Sequence, residues 1–213
     1  IIGIAASATF GAVIAFVFGM PDFMYGVIAF VTCLTSTLLI FKMAKKGNKV
    51  NVATLLIVGI AVSSFLGAFT SFAMYLIGED SFKITMWMMG YLGNATWKRV
   101  IFILIPLIFS VGYFFSKRNQ LDALLSGDEE AHSLGVDVNR LKVKILTVSA
   151  LIVAFSVAFS GMIGFVGLII PHTIRMLVGP SNTKMLPSTI LAGGFFLLIC
   201  DTFGRIVLAP VEV

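Results

Sequence analysis

Two ionisable residues, Asp201 and Arg205, lie four positions apart inside an otherwise apolar run near the end of the sequence. Charged side chains inside long apolar runs are costly and are usually paired or functional. Their spacing permits an ion pair along one helix face. In a second interpretation, Arg205 lies near a membrane boundary and is offered to an acidic partner protein. Both interpretations stay open at the level of sequence.

The other residues with chemical potential are isolated from one another. Cys33 and Cys200 lie singly in apolar runs, and neither His132 nor His172 has a second ligand at metal-binding spacing. The sequence contains no G-x-x-x-x-G-K-[ST] phosphate loop and no nucleophile paired with a base. We therefore expect no catalytic residue, metal site or cofactor, so that any ATP hydrolysis serving this protein occurs on another chain.

The most informative segment is the long polar stretch at residues 119–144. Within it, Ser126 or Asp128 could cap a short helix at its N-terminus. Gly135 would close that helix at its C-terminus. A solvated linker has no need of such signals, so the pattern favours a docking element. The predicted short helix carries Glu129, Glu130 and Ala131.

Small residues recur at every fourth position in two apolar runs, and this spacing places them on one helix face in each. Backbones approach closely along such a face, so tight helix packing is one interpretation. In the second run, Ser64 and Thr70 widen the polar face, and a transport path that binds cargo loosely is an equal alternative. The small residues are Gly3, Ser7, Gly11, Ala15 and Gly19 in the first run, and Gly59, Ser63, Gly67 and Ser71 in the second.

The composition indicates a protein that is solvated by lipid. Hydrophobic residues make up 59% of the chain, charged residues only 12%, and the mean hydropathy is +1.05. Soluble domains carry about 25% charged residues. The net charge of +5 comes from basic residues beside apolar runs, which is typical of cytoplasmic membrane loops. We therefore expect a bilayer as the surroundings and no nucleic acid as a partner.

Apolar runs of about 20 residues can cross a bilayer as helices. The predicted fold class is thus all-α, a polytopic transmembrane helical bundle of about seven spans with a short cytoplasmic helix. Glycines at 161, 164 and 167 divide the region 145–178 into an outgoing helix and a short returning helix, with Pro171 in its first turn. The remaining predicted spans cover residues 1–18, 23–41, 52–77, 100–115 and 186–208.

A less hydrophobic, amphipathic segment at residues 81–99 separates the third and fourth predicted spans and contains both tryptophans. Trp87, Tyr91 and Trp97 are aromatic residues of the kind that settle at the membrane–water boundary. An interfacial anchor and a ligand-stacking surface are the two interpretations of this segment.

Basic residues orient the predicted bundle through the positive-inside rule. If the loop after the second span is cytoplasmic, alternation places the stretch 119–144 on the same side. The opposite side then has only Lys83, Lys98 and Arg99, with Arg205 near its membrane edge. We therefore expect a multi-pass protein of the cytoplasmic (inner) membrane. The basic residues of the cytoplasmic side are Lys42, Lys45, Lys46, Lys49, Lys117, Arg118, Arg140, Lys142, Lys144, Arg175 and Lys184.

Several strings resemble one family, in the same order along the whole chain. Residues 130–135 resemble the E-A-x-x-x-G cytoplasmic loop of ABC importer permeases. The strings LLSGDEEAHSLGV at 124–136 and GMIGFVGLIIPH at 161–172 are similar to the permeases for iron-siderophores, haem and vitamin B12, the FecCD type. The W-M-M-G string at 87–90, the Asp201-x-x-x-Arg205 pair and the P-x-E string at 210–212 agree with this resemblance.

The resemblance implies a subunit of ten transmembrane helices that forms a homodimer with the pathway at its interface. It also implies two ATP-binding cassette subunits in the cytoplasm and an external substrate-binding protein. Aligned on the strings, residues 1–213 would form one incomplete permease domain running from the third helix to the ninth, truncated at both ends, with 119–144 as its cytoplasmic coupling loop. The implied function is import of a metal chelate without enzymatic activity of its own; closely similar permeases carry oxyanions.

The same resemblance assigns roles to individual residues. It implies that Arg205 pairs with acidic residues of the binding protein. The third span would correspond to the fifth helix of the family, which lines the pathway, with Ser63, Gly67, Thr70 and Ser71 as its candidates. Contact with the ATPase would come from Gly127, Glu129, Glu130, Ala131, Leu134 and Gly135.

An ion-gradient-driven secondary transporter is the alternative function. Such proteins usually place ionisable residues in their spans to carry the coupling ion. The third span contains none, and only Asp201 and Arg205 are available elsewhere. A membrane-embedded enzyme is a further class, for which the sequence offers no catalytic cluster.

Overall fold

The computed structural model describes residues 3–46, 49–50, 52–78, 81–90, 92 and 95–207. This part of the chain is almost entirely helical, apart from two short antiparallel strands, β1 (Lys45–Lys46) and β2 (Lys49–Val50). Tyr91 and the P-x-E string at 210–212 lie outside the described residues. The helices are α1 (Ile4–Val17), α2 (Asp22–Ala44), α3 (Val52–Ile77), α4 (Ser81–Met88), α5 (Trp97–Ser116), α6 (Arg118–Leu125), α7 (Asp128–Ser133), α8 (Val138–Ser160), α9 (Val166–Val178) and α10 (Asn182–Val207).

Five of these helices, α2, α3, α5, α8 and α10, are long and apolar enough to cross a membrane. The predicted all-α membrane architecture is therefore confirmed. Helices α1 and α9 are apolar but have only 14 and 13 residues, about 20 Å each at 1.5 Å per residue. A hydrocarbon core is about 30 Å thick, so the described residues provide five full-length spans and two shorter apolar helices.

Helix boundaries agree best where turn residues flank a run. The third predicted span coincides with α3, whereas the fourth begins earlier, at Trp97, because the Val100 N–H donates to the Thr96 carbonyl at 3.0 Å. The segment 81–99 is not one amphipathic element: α4 ends at Met88, and Gly90 then adopts a left-handed φ of 76°. The polar stretch 119–144 is also more helical than predicted, since α6 and α7 fill it and α8 begins within it.

The chain divides into two compact units. The first contains the described residues of Ile1–Ser110 and Asn139–Met162, and the second contains those of Val111–Val138 and Ile163–Val213. In the first unit, α1, α2, α3, α4 and the greater part of α8 surround the core. In the second unit, α6 packs against both α7 and α10, and α10 packs against α9.

The small-residue face of α1 packs tightly against α2, which confirms the packing interpretation for this run. The Thr32 hydroxyl of α2 donates to the Ser7 carbonyl of α1 at 2.8 Å. A Cβ added at Gly11 would contact Thr32 Oγ1 and would lie 2.9 Å from Ala29 Cα. The free thiol of Cys33 is buried in the same interface and lies 3.2 Å from the Ile4 carbonyl oxygen, whereas Cys200 is exposed on α10.

The basic ends of α2 and α8 lie at the same end of the first unit. A cluster of Ile40, Ala44 and Leu55 joins α2 to α3 there, and Leu146 of α8 packs against it. Leu146 follows Lys142 and Lys144 on the first turns of α8. The structure therefore gathers the basic residues of two separate loops at one end of this unit, as the positive-inside argument predicts for them.

In the second unit, the returning helix α9 differs from the prediction at its proline. Pro171 is the sixth residue of α9 and not part of its first turn, because the helix already begins at Val166. A proline inside a helix lacks the N–H that would bond four residues back, and its ring crowds that carbonyl. Here the residue four back is Gly167, and no atom lies within 4 Å of a Cβ added there. Helix α9 ends at Gly179, with a φ of 88°.

Candidate functional site

The predicted docking helix is present as α7, but its N-terminus is built differently from the prediction. Gly127 occupies the N-cap position with a φ of 128°, and it supplies no side-chain cap. Ser126 instead ends α6, and Asp128 is already the first residue of α7. A φ this positive favours glycine, which has no Cβ. Neither proposed cap is used because Gly127 precedes α7 in a conformation that other residues rarely adopt.

The C-terminus of α7 agrees with the prediction. Gly135 has a φ of 80°, its N–H donates to the His132 carbonyl at 2.9 Å, and the Val136 N–H donates to the Ala131 carbonyl at 3.0 Å. These two bonds form a Schellman motif with glycine in the left-handed position. Ala131 and Val136 are both buried beneath it. The motif holds a six-residue helix that could not persist alone.

The exposed side of α7 is acidic at its start and apolar at its end. Asp128, Glu129 and Glu130 occupy its first turn, where negative charge complements the helix dipole. Leu134 at the end of the helix is 71% exposed. Gly127 is half-buried, Ala131 is fully buried, and Gly135 is exposed. The six predicted contact residues thus form one element, in which Ala131 anchors the helix and the acidic residues and Leu134 face outward.

A residue that the sequence analysis did not single out fixes α6 to the start of α10. Asp122 Oδ1 accepts hydrogen bonds from the Asn182 backbone N–H and from Asn182 Nδ2, both at 2.7 Å, and Oδ2 accepts one from Ser181 Oγ at 3.2 Å. The sequence offers a helix-start signal at Ser181 and Asn182. It offers no signal for a partner 60 residues away.

The four candidate pathway residues of α3 do not share one environment. Ser63 faces α1, since a Cβ added at Gly3 would lie 3.2 Å from its hydroxyl oxygen, which itself donates to the Gly59 carbonyl at 2.6 Å. Thr70 is buried, and its hydroxyl has no hydrogen-bond partner among the described residues. Gly67 and Ser71 are more open: no atom lies within 4 Å of a Cβ added at Gly67, and Ser71 is exposed.

Asp201 and Arg205 form the intrahelical ion pair that their spacing permits. Arg205 Nε lies 2.9 Å from Asp201 Oδ2, and the arginine side chain remains 48% exposed. Pairing therefore leaves part of the guanidinium accessible to a partner. Arg205 lies about 35 Å from Asn182 along α10, at 1.5 Å per residue. The ion pair and the Asp122 contacts are thus at opposite ends of one helix.

Two of the strings that carry the resemblance meet in the first unit. Gly161 ends α8 with a φ of 69°, and a Cβ added there would contact the Trp87 carbonyl oxygen and would lie 2.9 Å from Gly90 Cα. Trp87 in turn packs against the core cluster. Trp87 is thus a packing residue beside the turn that follows α8. Separately, no group of three or more His, Cys, Asp or Glu among the described residues could hold a metal ion.

Comparison with known proteins identifies the family of this chain. The sequence model of the FecCD transport family matches residues 1–213. The chain belongs to the FecCD transport family. It is similar to the cobalamin import system permease protein BtuC of Halobacterium salinarum, with 38% identity over 96% of this chain. It is also similar to the hemin transport system permease protein HmuU of Yersinia pestis, with 34% identity over 100% of this chain.

A solved structure of a metal-chelate type ABC transporter in an inward-facing conformation has a closely similar fold. The TM-score is 0.90 and the identity 29%, over 100% of this chain and 68% of that one. The chain is also similar to the molybdate import system permease protein MolB of Haemophilus influenzae, with 32% identity over 96% of this chain. The present chain spans 56% of the cobalamin permease, 66% of the hemin permease and 61% of the molybdate permease.

Proposed function

We propose that this FecCD chain is the membrane-spanning part of a permease subunit in an ATP-driven importer of metal chelates. Helix α7 is the observation that carries the proposal. It is a short helix with a glycine next to each end, and its acidic residues and Leu134 face outward. Such an element transmits force from another protein and performs no bond chemistry.

The proposed orientation places α7 on the cytoplasmic side of the inner membrane, where ATP is available. The basic termini of α2 and α8 support this, because they lie at one end of the first unit. In the second unit, the Asp122 contacts bring α6 next to the start of α10, which carries Lys184. Arg205 then lies at the external end of α10, within reach of an acidic substrate-binding protein.

In the family numbering, α1, α2 and α3 would be the third to fifth membrane helices, and α5, α8, α9 and α10 the sixth to ninth. This assignment makes the short helices α1 and α9 membrane helices in their own right and gives seven spans. Two such subunits would form a homodimer around the pathway, with two ATP-binding cassette subunits below. Residues 119–144 would be the coupling segment of a single permease domain.

The pathway proposal for α3 is most specific at its open positions. Gly67 and Ser71 are small and accessible, so they could pass cargo without binding it tightly. Ser63 and Thr70 would not line the pathway directly and would instead keep α3 close to its neighbouring helices. The cargo is proposed as a chelate because two of the similar proteins, at 38% and 34% identity, are named for cobalamin and hemin import.

The test uses the complete protein with its ATPase and binding protein in proteoliposomes. We expect Leu134→Ala to lower the chelate stimulation of ATP hydrolysis several-fold, because an exposed leucine at a protein interface is buried on docking. Ile105→Ala is the matched control, since Ile105 is 65% exposed on α5, away from α7 in sequence. Equal stimulation in both variants and the wild type would refute the docking role.

The same vesicles distinguish the rival mechanism and the cargo. Uptake that continues without ATP and stops when an uncoupler collapses the ion gradient would favour a secondary transporter. Cobalamin, haem, a ferric siderophore and molybdate are offered in parallel, and the binding protein's preference identifies the chelate. Uptake of molybdate alone would overturn the metal-chelate assignment while leaving the importer mechanism intact.

A further inference from the structure

The Asp122 carboxylate is fully engaged at the first turn of α10. Oδ1 accepts from both nitrogens of Asn182, and Oδ2 accepts from the Ser181 hydroxyl. The first N–H groups of any α-helix have no partner within the helix. Asp122, which lies on a different helix and 60 residues earlier in the chain, supplies a partner for the Asn182 N–H.

A cap made locally would have been available at this helix start. The Ser181 carbonyl accepts from the Met185 N–H at 3.0 Å, which makes Ser181 the N-cap residue. Serine is among the best N-cap residues because its hydroxyl can bond the following N–H groups. Here the hydroxyl donates to Asp122 instead. The N-terminus of α10 is therefore not only capped but also hydrogen-bonded to α6.

Helix α6 is in turn joined to α7 through Ser126 and Gly127. Its last turn is closed by hydrogen bonds from the Ser126 and Gly127 N–H groups to carbonyls of α6, and the Ala131 N–H of α7 donates to the Gly127 carbonyl at 3.0 Å. A displacement of α7 is thus passed to α6 through a short hydrogen-bonded turn, and from α6 to α10 through Asp122.

We propose that Asp122 is a positioning residue that transmits motion of the docking helix α7 to the membrane helix α10. The inference rests on the proposed function and deepens it. Because Arg205 lies at the far end of α10, Asp122 joins the two faces at which partner proteins would dock. Coupling between sites is reciprocal, so occupancy at the Arg205 end also biases α7 through the same carboxylate.

The experiment measures the number of chelate molecules imported per ATP hydrolysed by the complete transporter in proteoliposomes. We expect Asp122→Ala to lower this ratio about fivefold or more, the scale of typical coupling between sites. Asp122→Asn should restore most of it, because its oxygen still accepts from the Asn182 N–H and its amide can donate to the Ser181 hydroxyl. Asn119→Ala is the control, since Asn119 is exposed on the same helix.

A second variant keeps the inference testable if Asp122→Ala fails to assemble. Asn182→Ala removes one of the three hydrogen bonds and should give a smaller, graded loss in the same ratio. An active wild type with unchanged ratios in the alanine variants would overturn the inference alone. A ratio that falls equally in Asp122→Asn and Asp122→Ala would also overturn it. Wild-type vesicles without ATP-dependent uptake would instead refute the proposed function, and this inference with it.

Discussion

At the scale of single residues, Gly161 is constrained both by its backbone conformation and by its neighbours. Its φ of 69° favours glycine, and its missing side chain lets the turn after α8 lie directly on the Trp87 carbonyl and Gly90. Gly90 is also left-handed, with a φ of 76°. Two glycines from separate strings of the sequence thus allow one close approach of backbone to backbone. Each string is needed for the other to pack.

We expect Gly161→Ala to destabilise the protein through two additive causes. The left-handed conformation costs an alanine about 1–2 kcal/mol, and overpacking against backbone atoms costs about 1–3 kcal/mol more. Thermal unfolding of the purified protein in detergent measures the loss. Gly164→Ala is the control, because no atom lies within 4 Å of a Cβ there. A melting temperature that is the same for both variants would contradict the close contact.

The residues of the docking helix were predictable to different extents for physical reasons. Gly135 follows from a local rule, because a left-handed C-terminal residue depends on few neighbours. The N-terminal cap does not, since serine and aspartate are good caps only where the chain enters the helix in extended form. At Gly127, where the chain enters α7, the backbone φ is positive. The sequence analysis also did not predict α6, the helix that precedes this residue. Asp122 lay beyond prediction because its partners are distant in sequence.

At the scale of elements, α1 and α2 form the closest helix pair of the first unit. The small face of α1 brings Gly11 against Ala29 and Thr32, and Thr32 bonds the α1 backbone at Ser7. Close backbone approach of this kind drives helix association in lipid, where no hydrophobic force acts between helices. The pattern of small residues at every fourth position therefore predicted a packing face on α1, but it did not identify α2 as the partner.

We expect Gly11→Val to force α1 and α2 apart and to lower the melting temperature of the protein markedly. A Cβ alone would already contact Thr32 Oγ1, and a branched side chain cannot be accommodated by a rotamer change. Gly112→Val on α5 serves as the matched substitution, since the space around Gly112 is open. Equal melting temperatures for the two variants would show that the interface yields without cost.

Element boundaries were predictable where apolar runs end in charges or turn residues, as for α3. The predicted boundaries were wrong where apolar residues continue through a turn. The region 145–178 was divided correctly by its glycines, yet Pro171 falls inside α9 because the helix already begins at Val166. The count of spans depends on length, and neither α1 nor α9 reaches the length of a full-width helix.

At the scale of the whole molecule, much of the apolar surface is left for lipid or for other subunits. In an 18-residue apolar stretch of α10 no residue is buried, and in the corresponding stretch of α5 only 6% of the residues are buried. Monomeric soluble proteins rarely expose such continuous apolar surface. The described chain therefore has the surface of a membrane subunit, in keeping with its FecCD membership.

The Asp201–Arg205 pair gives a test of docking at the proposed external face. We expect Arg205→Ala to weaken binding of the acidic substrate-binding protein, and the loss should shrink at high salt because screening already weakens the attraction. Asp201→Asn breaks the ion pair but keeps the guanidinium. It should therefore retain or strengthen binding, as measured by surface plasmon resonance on nanodiscs. Equal losses in the two variants would assign the pair a purely structural role.

Under the proposed assignment of α9 as a membrane helix, its length makes this protein sensitive to the thickness of its bilayer. A 13-residue helix is about 10 Å shorter than a typical hydrocarbon core. Leu168, Met176 and Leu177 are exposed along it, and a bilayer that this helix crosses would thin around it to keep the helix ends hydrated. Such hydrophobic mismatch costs fractions of a kcal/mol per Å. The acyl-chain length of the surrounding lipids thus becomes a determinant of how readily this helix moves.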